Sequence, residues 1–339
     1  MNASYKTDTL KDADVAADIL RDGELVAFAT ETVYGLGADA TNGKAIAKVF
    51  EAKQRPAFDP LIVHVADLSA AKQVAAEWPD LADDLANVFW PGPLTMVLPK
   101  QNHISDLVTS GLPGVGIRVP IHPLAQSLLR KFSGPVVAPS ANLFGSMSPT
   151  TAEHVLQGLN GRIAAVLDGG PCDIGLESTV VSLMDCGSAG GRPVILRPGG
   201  LSKEDIEQVT GPIQIATPNS HLEDAAQPAP GMLSRHYAPA TRLLLIDVDE
   251  KAISHDQGTC GLLTHGPPEE GEQVASKNSR FQEIRNLGST EDLPTCATNF
   301  FAALRSLDAA HLDVIIARKF PAHGLGIALN DRLKRASAR

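Results

Sequence analysis

Apolar residues at Ala13, Ala16, Ala17 and Leu20 recur at three- and four-residue spacing and predict an amphipathic helix over residues 12–21. The next apolar run, ELVAFAT (24–30), reads as a strand, and TETVYGLGAD after it as a glycine-punctuated turn. NGKAIAKVFEAK (42–53) restores helical spacing behind Asn42, a side chain suited to cap a helix start. PLIVHVA (60–66) is a strand with its proline first. LAQSLLRKF (124–132) is a helix with Pro123 in its first turn, and PVVAPS (135–140) is a strand. Thr150 and Glu153 have capping-box spacing and predict the start of another helix. AAVLDGG (164–170), STVVSL (178–183) and VILRPGG (194–200) are short strands broken by glycine. Several strands follow one another without a helix between them, which calls for a mixed sheet under helical cover.

The periodicity fades after residue 210. Residues 211–240 are small, polar and proline-rich and read as a linker. A second α/β pattern then begins. RLLLIDV (242–248), TCGLLTHG (259–266) and DVIIAR (313–318) are strands, while CATNFFAALRSLDAAHL (296–312) and GIALNDRLKRASA (326–338) carry helical stripes. The chain thus divides into residues 1–210, a linker over 211–240, and a smaller unit over 241–339.

Composition narrows the chemistry. The formal net charge of −10 argues against a broad nucleic-acid-binding face. Cys172, Cys186, Cys260 and Cys296 include no CxxC pair and are expected as free thiols in a reducing compartment. The acidic start lacks a signal-peptide pattern, and no apolar run reaches spanning length, so a cytoplasmic location is expected. NGKA (42–45) fails as a Walker loop because Ala38 occupies the position of its first glycine and Ala45 that of its hydroxyl. GLGADA (35–40) has Ala40 where a dinucleotide fold needs its third glycine. There is no HExxH, the histidines do not cluster at ligand spacing, and Ser140 in APSAN is not a GxSxG nucleophile.

Polar side chains instead gather at element ends, where open α/β sheets bind ligands. They are Thr30, Glu31 and Thr32; Lys53 and Arg55; Arg118; Ser140 and Asn142; Ser178 and Thr179; and Arg197. Taken singly, such cations are usually solvated and such hydroxyls usually form turns. Arg118 and Arg197, however, each follow an apolar run and stand just before a proline. Guanidinium groups held at strand ends suit phosphate and carboxylate oxygens. The combination reads as a cleft for an anionic small molecule or a nucleotide.

The order and spacing of VAFATETVYGLGADA, IAKVFEAKQRPAFDPLIVHV, FWPGPLTMVLP, GIRVPIHPLA, GPVVAPSANLFGSMSPTTAEHV, VLDGGPCDIGLESTVVSL, ILRPG and the linker's APGMLSRHYAP carry a family resemblance. The chain resembles the long, two-domain Sua5 branch of the Sua5/YciO/YrdC family, the threonylcarbamoyl-AMP synthases. Its Lys-x-Arg and Ser-x-Asn signature stands as Lys53, Arg55, Ser140 and Asn142. The resemblance implies a YrdC-like twisted mixed β-sheet flanked by helices around a large concave cavity, with a smaller Rossmann-like α/β C-terminal domain. It implies a nucleotidyltransferase that makes threonylcarbamoyl-AMP and pyrophosphate from L-threonine, bicarbonate or CO2, and ATP, for t6A37 modification of tRNA. Mg2+ would be the cofactor, held mainly by the ATP phosphates. A separate threonylcarbamoyl-transferase complex would receive the product, and a contact to tRNA or double-stranded RNA is included.

Residue by residue, the resemblance implies L-threonine near Thr32, His64, Arg118, Ala138 and Ser178. ATP would meet Arg55, Asp59, Gly114, Ser140, Asn142, Ser148 and Arg197. Lys53, Arg55 and Tyr237 would be catalytic, with Tyr237 reaching back from the HYAP element of the linker. The chain departs from the family pattern at Ala29 (usually proline), Gln54 (commonly glycine) and Asp59 (usually asparagine). Asp59 bears on the nucleotide, because a carboxylate repels phosphates unless Arg55 or Mg2+ compensates it. The rival readings are a non-catalytic double-stranded RNA-binding module and another ATP-dependent carbamoylation enzyme.

Overall fold

The computed structural model of the chain describes residues 6–56, 58–187, 191–216, 236–247, 258–266 and 281–338. Most of the linker, residues 217–235, lies outside the described residues, whereas its HYAP element, from His236, lies within them.

The larger sheet contains β1 (Asp8–Leu10), β2 (Val26–Phe28), β3 (Gly35–Asp39), β4 (Ile62–His64), β5 (Leu94–Pro99), β6 (Gly114–Arg118), β7 (Val136–Val137), β8 (Ala165–Leu167), β9 (Thr179–Ser182), β10 (Val194–Arg197) and β11 (Gln214–Ile215). Their order is β1-β8-β2-β3-β7-β4-β6-β5-β9-β10-β11, with parallel and antiparallel pairs mixed as the strand spacing predicts. The sheet extends to Ile215, five residues into the segment expected to be linker.

Helices cover it for reasons visible in sequence. Helix Gly43–Lys53 begins where the Asn42 side chain accepts from the amides of Lys44 and Ala45, and it buries Ala45, Ile46, Val49 and Ala52. It stops at Gln54, which adopts a left-handed φ of 52°. Glycine is the favoured residue in that conformation. Helix Ala152–Leu159 is capped by Thr151, whose hydroxyl accepts from the His154 amide, one residue beyond the expected Thr150. Helices Ala13–Arg21 and Pro123–Phe132 pack on the opposite side of the sheet, with Ala16, Leu20, Leu128 and Leu129 against Phe28.

One expected turn is a strand. GLGAD forms β3 because its glycines allow two close approaches. A Cβ at Gly37 would lie 3.0 Å from the Phe28 ring, and one at Gly35 would lie 3.1 Å from the Ala138 methyl.

The smaller sheet holds β12 (Arg242–Ile246), β13 (Cys260–Thr264), β14 (Phe281–Asn286) and β15 (Val314–Arg318) in the order β12-β15-β13-β14, all parallel. Every residue of β15 is buried, as expected for an interior parallel strand. Helix Leu293–Asp308 lays Phe300, Phe301, Leu304 and Leu307 on it beside helix Gly326–Ser337. Leu176 and Met147, which belong to the larger unit, join this same apolar cluster. Thr298 Oγ1 donates to the Asp173 carbonyl at 2.5 Å, and Arg305 to the Met147 carbonyl. The seam between the units is therefore both apolar and hydrogen-bonded. The four cysteines are free, and no helix among the described residues is long and apolar enough to cross a membrane.

Candidate active site

Topology brings the strand ends together. β4 and β6 are parallel neighbours in register, so His64 and Arg118 close them side by side. β7 runs antiparallel to β4, with His64 opposite Val136, so it delivers Ala138, Pro139 and Ser140 past Ile62 at the start of the three-residue β4, where Ser140 bridges to Gly35. β9 starts and β10 finishes at the His64–Arg118 end, which brings Ser178 and Arg197 into contact. The hollow they enclose is lined by Arg55, His64, Arg118, Ala138, Ser140, Ser178, Arg197 and Tyr237 among the sequence-derived candidates.

The cations are fixed before any ligand arrives. Arg55 donates through Nε to the Asp59 carbonyl at 3.1 Å and through Nη2 to the Pro60 carbonyl at 2.8 Å. Its Nη2 also lies 2.9 Å from Asp59 Oδ2, in an ion pair buried on both sides. The Asp59 charge, the departure of most concern in the sequence, is thus compensated by Arg55. Arg118 donates through Nε to the Gly92 carbonyl at 3.2 Å and through Nη2 to Glu31 Oε1 at 2.6 Å. Among the described residues, Nη1 of Arg118 makes no hydrogen bond. Arg197 Nη2 donates to the Ser178 carbonyl at 2.9 Å and reaches the Ser178 hydroxyl at 3.3 Å.

Five candidates stand behind the wall. Lys53 donates to the carbonyls of Ser140 at 2.5 Å and Asn142 at 2.6 Å. Burial, then the neighbouring Arg55, holds its ammonium well below the usual lysine range. Asn142 donates through Nδ2 to the carbonyls of Leu143 and Ser146. Thr32 Oγ1 lies 2.8 Å from Thr30 Oγ1, and it is Thr30 that reaches the hollow. Asp59 sits under Arg55, and the Ser148 hydroxyl donates to Glu177 Oε1. Gly114 is not brought to the site. It opens β6 at the end opposite Arg118, and a Cβ there would lie 2.8 Å from Met184 Sδ.

His64 is neutral at neutral pH: burial, then Arg118, pushes its pKa down to about 3. His236 is also held well below the usual histidine range, by burial and then by Arg55, Lys53, Arg332 and Arg197. The HYAP residues fill the site. Tyr237 is buried at 1% exposure, and its left-handed φ of 60° turns the chain inward. His236 packs edge-on to Phe144, and the Ala238 amide donates to the Gly145 carbonyl at 2.9 Å. The space left over is about 40 Å3. A small-molecule site occupies roughly 300–1,000 Å3. The large cavity expected from the sequence is therefore plugged by the protein's own linker.

Glu177 lines the hollow and was not picked out in the sequence, although it adjoins Ser178. Burial pushes its carboxyl up, but Arg332, Arg197 and the Ser148 hydroxyl outweigh burial and hold it below the usual range. Its ion-pair partner Arg332 lies 155 positions away, a separation that carries no local signal. Val33, Gly35, Ile62 and Pro139 complete the wall and also went unmarked.

A Sua5/YciO/YrdC family model, described as "Telomere recombination", matches residues 18–199, more than half of the chain. The chain belongs to that family. A second model, described as "Threonylcarbamoyl-AMP synthase, C-terminal domain", matches residues 201–338, which identifies the two-domain Sua5 form. The chain is 45% identical over 332 residues to the threonylcarbamoyl-AMP synthase of Bacillus subtilis, covering 95% of this chain and 92% of that protein. The crystal structure of Pyrococcus abyssi Sua5 complexed with L-threonine superposes with a TM-score of 0.83 at 38% identity, covering 98% and 97% of the two chains. A double His/Tyr-to-Ala variant of the same archaeal protein superposes equally well, at 37% identity over 98% and 96%.

Proposed function

We propose that the chain is a threonylcarbamoyl-AMP synthase, an ATP-dependent nucleotidyltransferase acting on L-threonine. The observation that carries this reading is the convergence of Arg55, Arg118 and Arg197 with Ser140 and Ser178 on one hollow, in a chain similar along its length to proteins of that name.

Threonine occupies the His64–Arg118–Ala138–Ser178 side, with Thr30 in front of Thr32. Its carboxylate takes the Arg118 hydrogens left over by Glu31 and Gly92. Uncharged His64 adds no repulsion to an ammonium group nearby. The deprotonated amine adds to CO2, derived from bicarbonate, forming an N–C bond and releasing a proton. A carbamate oxygen of the product then attacks the α-phosphorus of ATP, and the bond to pyrophosphate breaks. Arg55 and Arg197 face the charge that grows on the phosphoryl oxygens and the leaving group, while Ser140 admits the nucleotide closely. The hollow, about 40 Å3 with Tyr237 in place, has to open to admit both substrates, and walls that then exclude water keep carbamate and ATP together. Lys53, Asn142, Ser148 and Asp59 shape this wall from behind, and Gly114 stays outside it.

Among the described residues no group of three or more His, Cys, Asp or Glu side chains could hold a metal. Mg2+ would be held mainly by the ATP phosphates, where it would offset the charge on the leaving pyrophosphate. The product passes to a threonylcarbamoyl-transfer machinery acting on tRNA. The test is pyrophosphate release with ATP, Mg2+ and bicarbonate, with and without L-threonine, followed by mass analysis of the adenylate. Release that ignores threonine sinks the reading. Salt-dependent RNA binding in its place supports the RNA-binding alternative.

A further inference from the structure

The second domain contributes one wholly buried cation to the edge of the site. Arg332, on helix Gly326–Ser337, is 0% exposed. Its Nε donates to Glu177 Oε2 at 2.8 Å, its Nη2 to the Pro198 carbonyl at 3.0 Å, and its Nη1 to Asp331 Oδ2 at 2.7 Å. Its guanidinium carbon lies 4.9 Å from the centre of the Tyr237 ring. Glu177 and Pro198 adjoin Ser178 and Arg197 in the chain, and both of those side chains line the hollow. Their strand ends pack backbone to backbone, since a Cβ at Gly199 would fall 2.3 Å from the Glu177 carbonyl oxygen.

We infer that Arg332 is a positioning residue for nucleotide binding: it neutralises Glu177 so that this carboxylate can stand in the wall of an anion site and hold the Ser148 hydroxyl. The inference rests on the nucleotide reading above. Without Arg332, Glu177 would present its charge to the triphosphate from a buried position, where screening by water is weak. Arg332 does not touch the hollow itself and acts through Glu177. The second domain thereby becomes part of the site's electrostatics, beyond its packing on the first.

The test compares Arg332→Ala with the double variant Arg332→Ala/Glu177→Gln in the full-length protein. ATP binding without threonine or bicarbonate is measured by calorimetry, alongside L-threonine binding and thermal melting. The expected result is at least a tenfold loss of ATP affinity in Arg332→Ala and recovery of most of it in the double variant. Threonine affinity should move less than threefold. Both variants lack the contact to Tyr237, so the difference between them reads the Glu177 charge alone. A merely structural seam contact predicts no recovery. Equal or tighter ATP binding in Arg332→Ala, or a double variant no better than the single, overturns the inference. Should Arg332→Ala not fold, Arg332→Lys with and without Glu177→Gln carries the same comparison, with a smaller loss expected because lysine keeps the charge but lacks the fork. Wild-type protein that fails to bind ATP would refute the nucleotide reading instead. Wild-type binding with no recovery refutes this inference alone.

Discussion

The Lys53 ammonium is bound to the Ser140 carbonyl at 2.5 Å, and through Asn142 it braces the whole APSAN turn from behind. Lys53→Met removes both bonds and should destabilise the fold by roughly 1.5–3 kcal/mol for each, the usual worth of a hydrogen bond to a charged group. ATP affinity should fall with it, because Ser140 loses its support. Thermal melting and calorimetry on one sample decide the matter. Lost ATP binding at an unchanged melting temperature would instead place Lys53 in direct contact with the phosphates.

Asp59→Asn separates stability from binding. Removing one partner of the buried Arg55–Asp59 pair costs up to about 3–5 kcal/mol. The same change removes a negative charge behind the proposed phosphate site. A lower melting temperature with tighter ATP binding is expected, and weaker ATP binding would mean that Asp59 is needed to aim Arg55.

Gln54→Gly should stabilise the protein. A left-handed conformation costs an L-residue about 1–2 kcal/mol, and glycine avoids most of that penalty. Glycine also widens the freedom of the unfolded chain, so the net gain is expected to stay below about 1 kcal/mol. Chemical denaturation measures it, and a loss of stability would show that the Gln54 side chain makes an interaction worth more than the strain.

Histidines held neutral, His64 and His236 buried and His154 half-buried, make the fold acid-labile. His64 and His154 titrate near 3 and 4, and His236 well below its ordinary value. The unfolded chain therefore binds more protons below about pH 6.5, the ordinary histidine value. Their neutral forms cost nothing above that pH, and stability is lost progressively as pH falls from 6.5 toward 4. His154, depressed by burial and then by Arg305, can be tested away from the site. His154→Gln should flatten the fall in melting temperature between pH 6.5 and 4.5, and an unaltered slope would contradict its assignment.

Much of this was legible in the chain. The cations at Arg118 and Arg197 followed apolar runs and met at one end of the sheet, as their sequence context implied. What escaped was long-range. β3 looked like a turn because its glycines were counted as breakers, when the Phe28 ring and the Ala138 methyl needed the room. Lys53 looked like a catalytic cation because nothing local announced two carbonyls roughly ninety residues away. Glu177 went unmarked because its counter-charge, Arg332, comes from the far end of the chain.

The HYAP tripwire is tethered to both halves of the molecule, by Ala238 to the Gly145 carbonyl at 2.9 Å and by His236 to the Arg335 carbonyl at 3.4 Å. On the proposed reaction, the finished adenylate is a reagent that water destroys, kept only while its container stays shut. With about 40 Å3 left in the hollow, the HYAP residues would have to shift to admit a nucleotide, and the same shift would let the product out, so supply and leakage would share one valve.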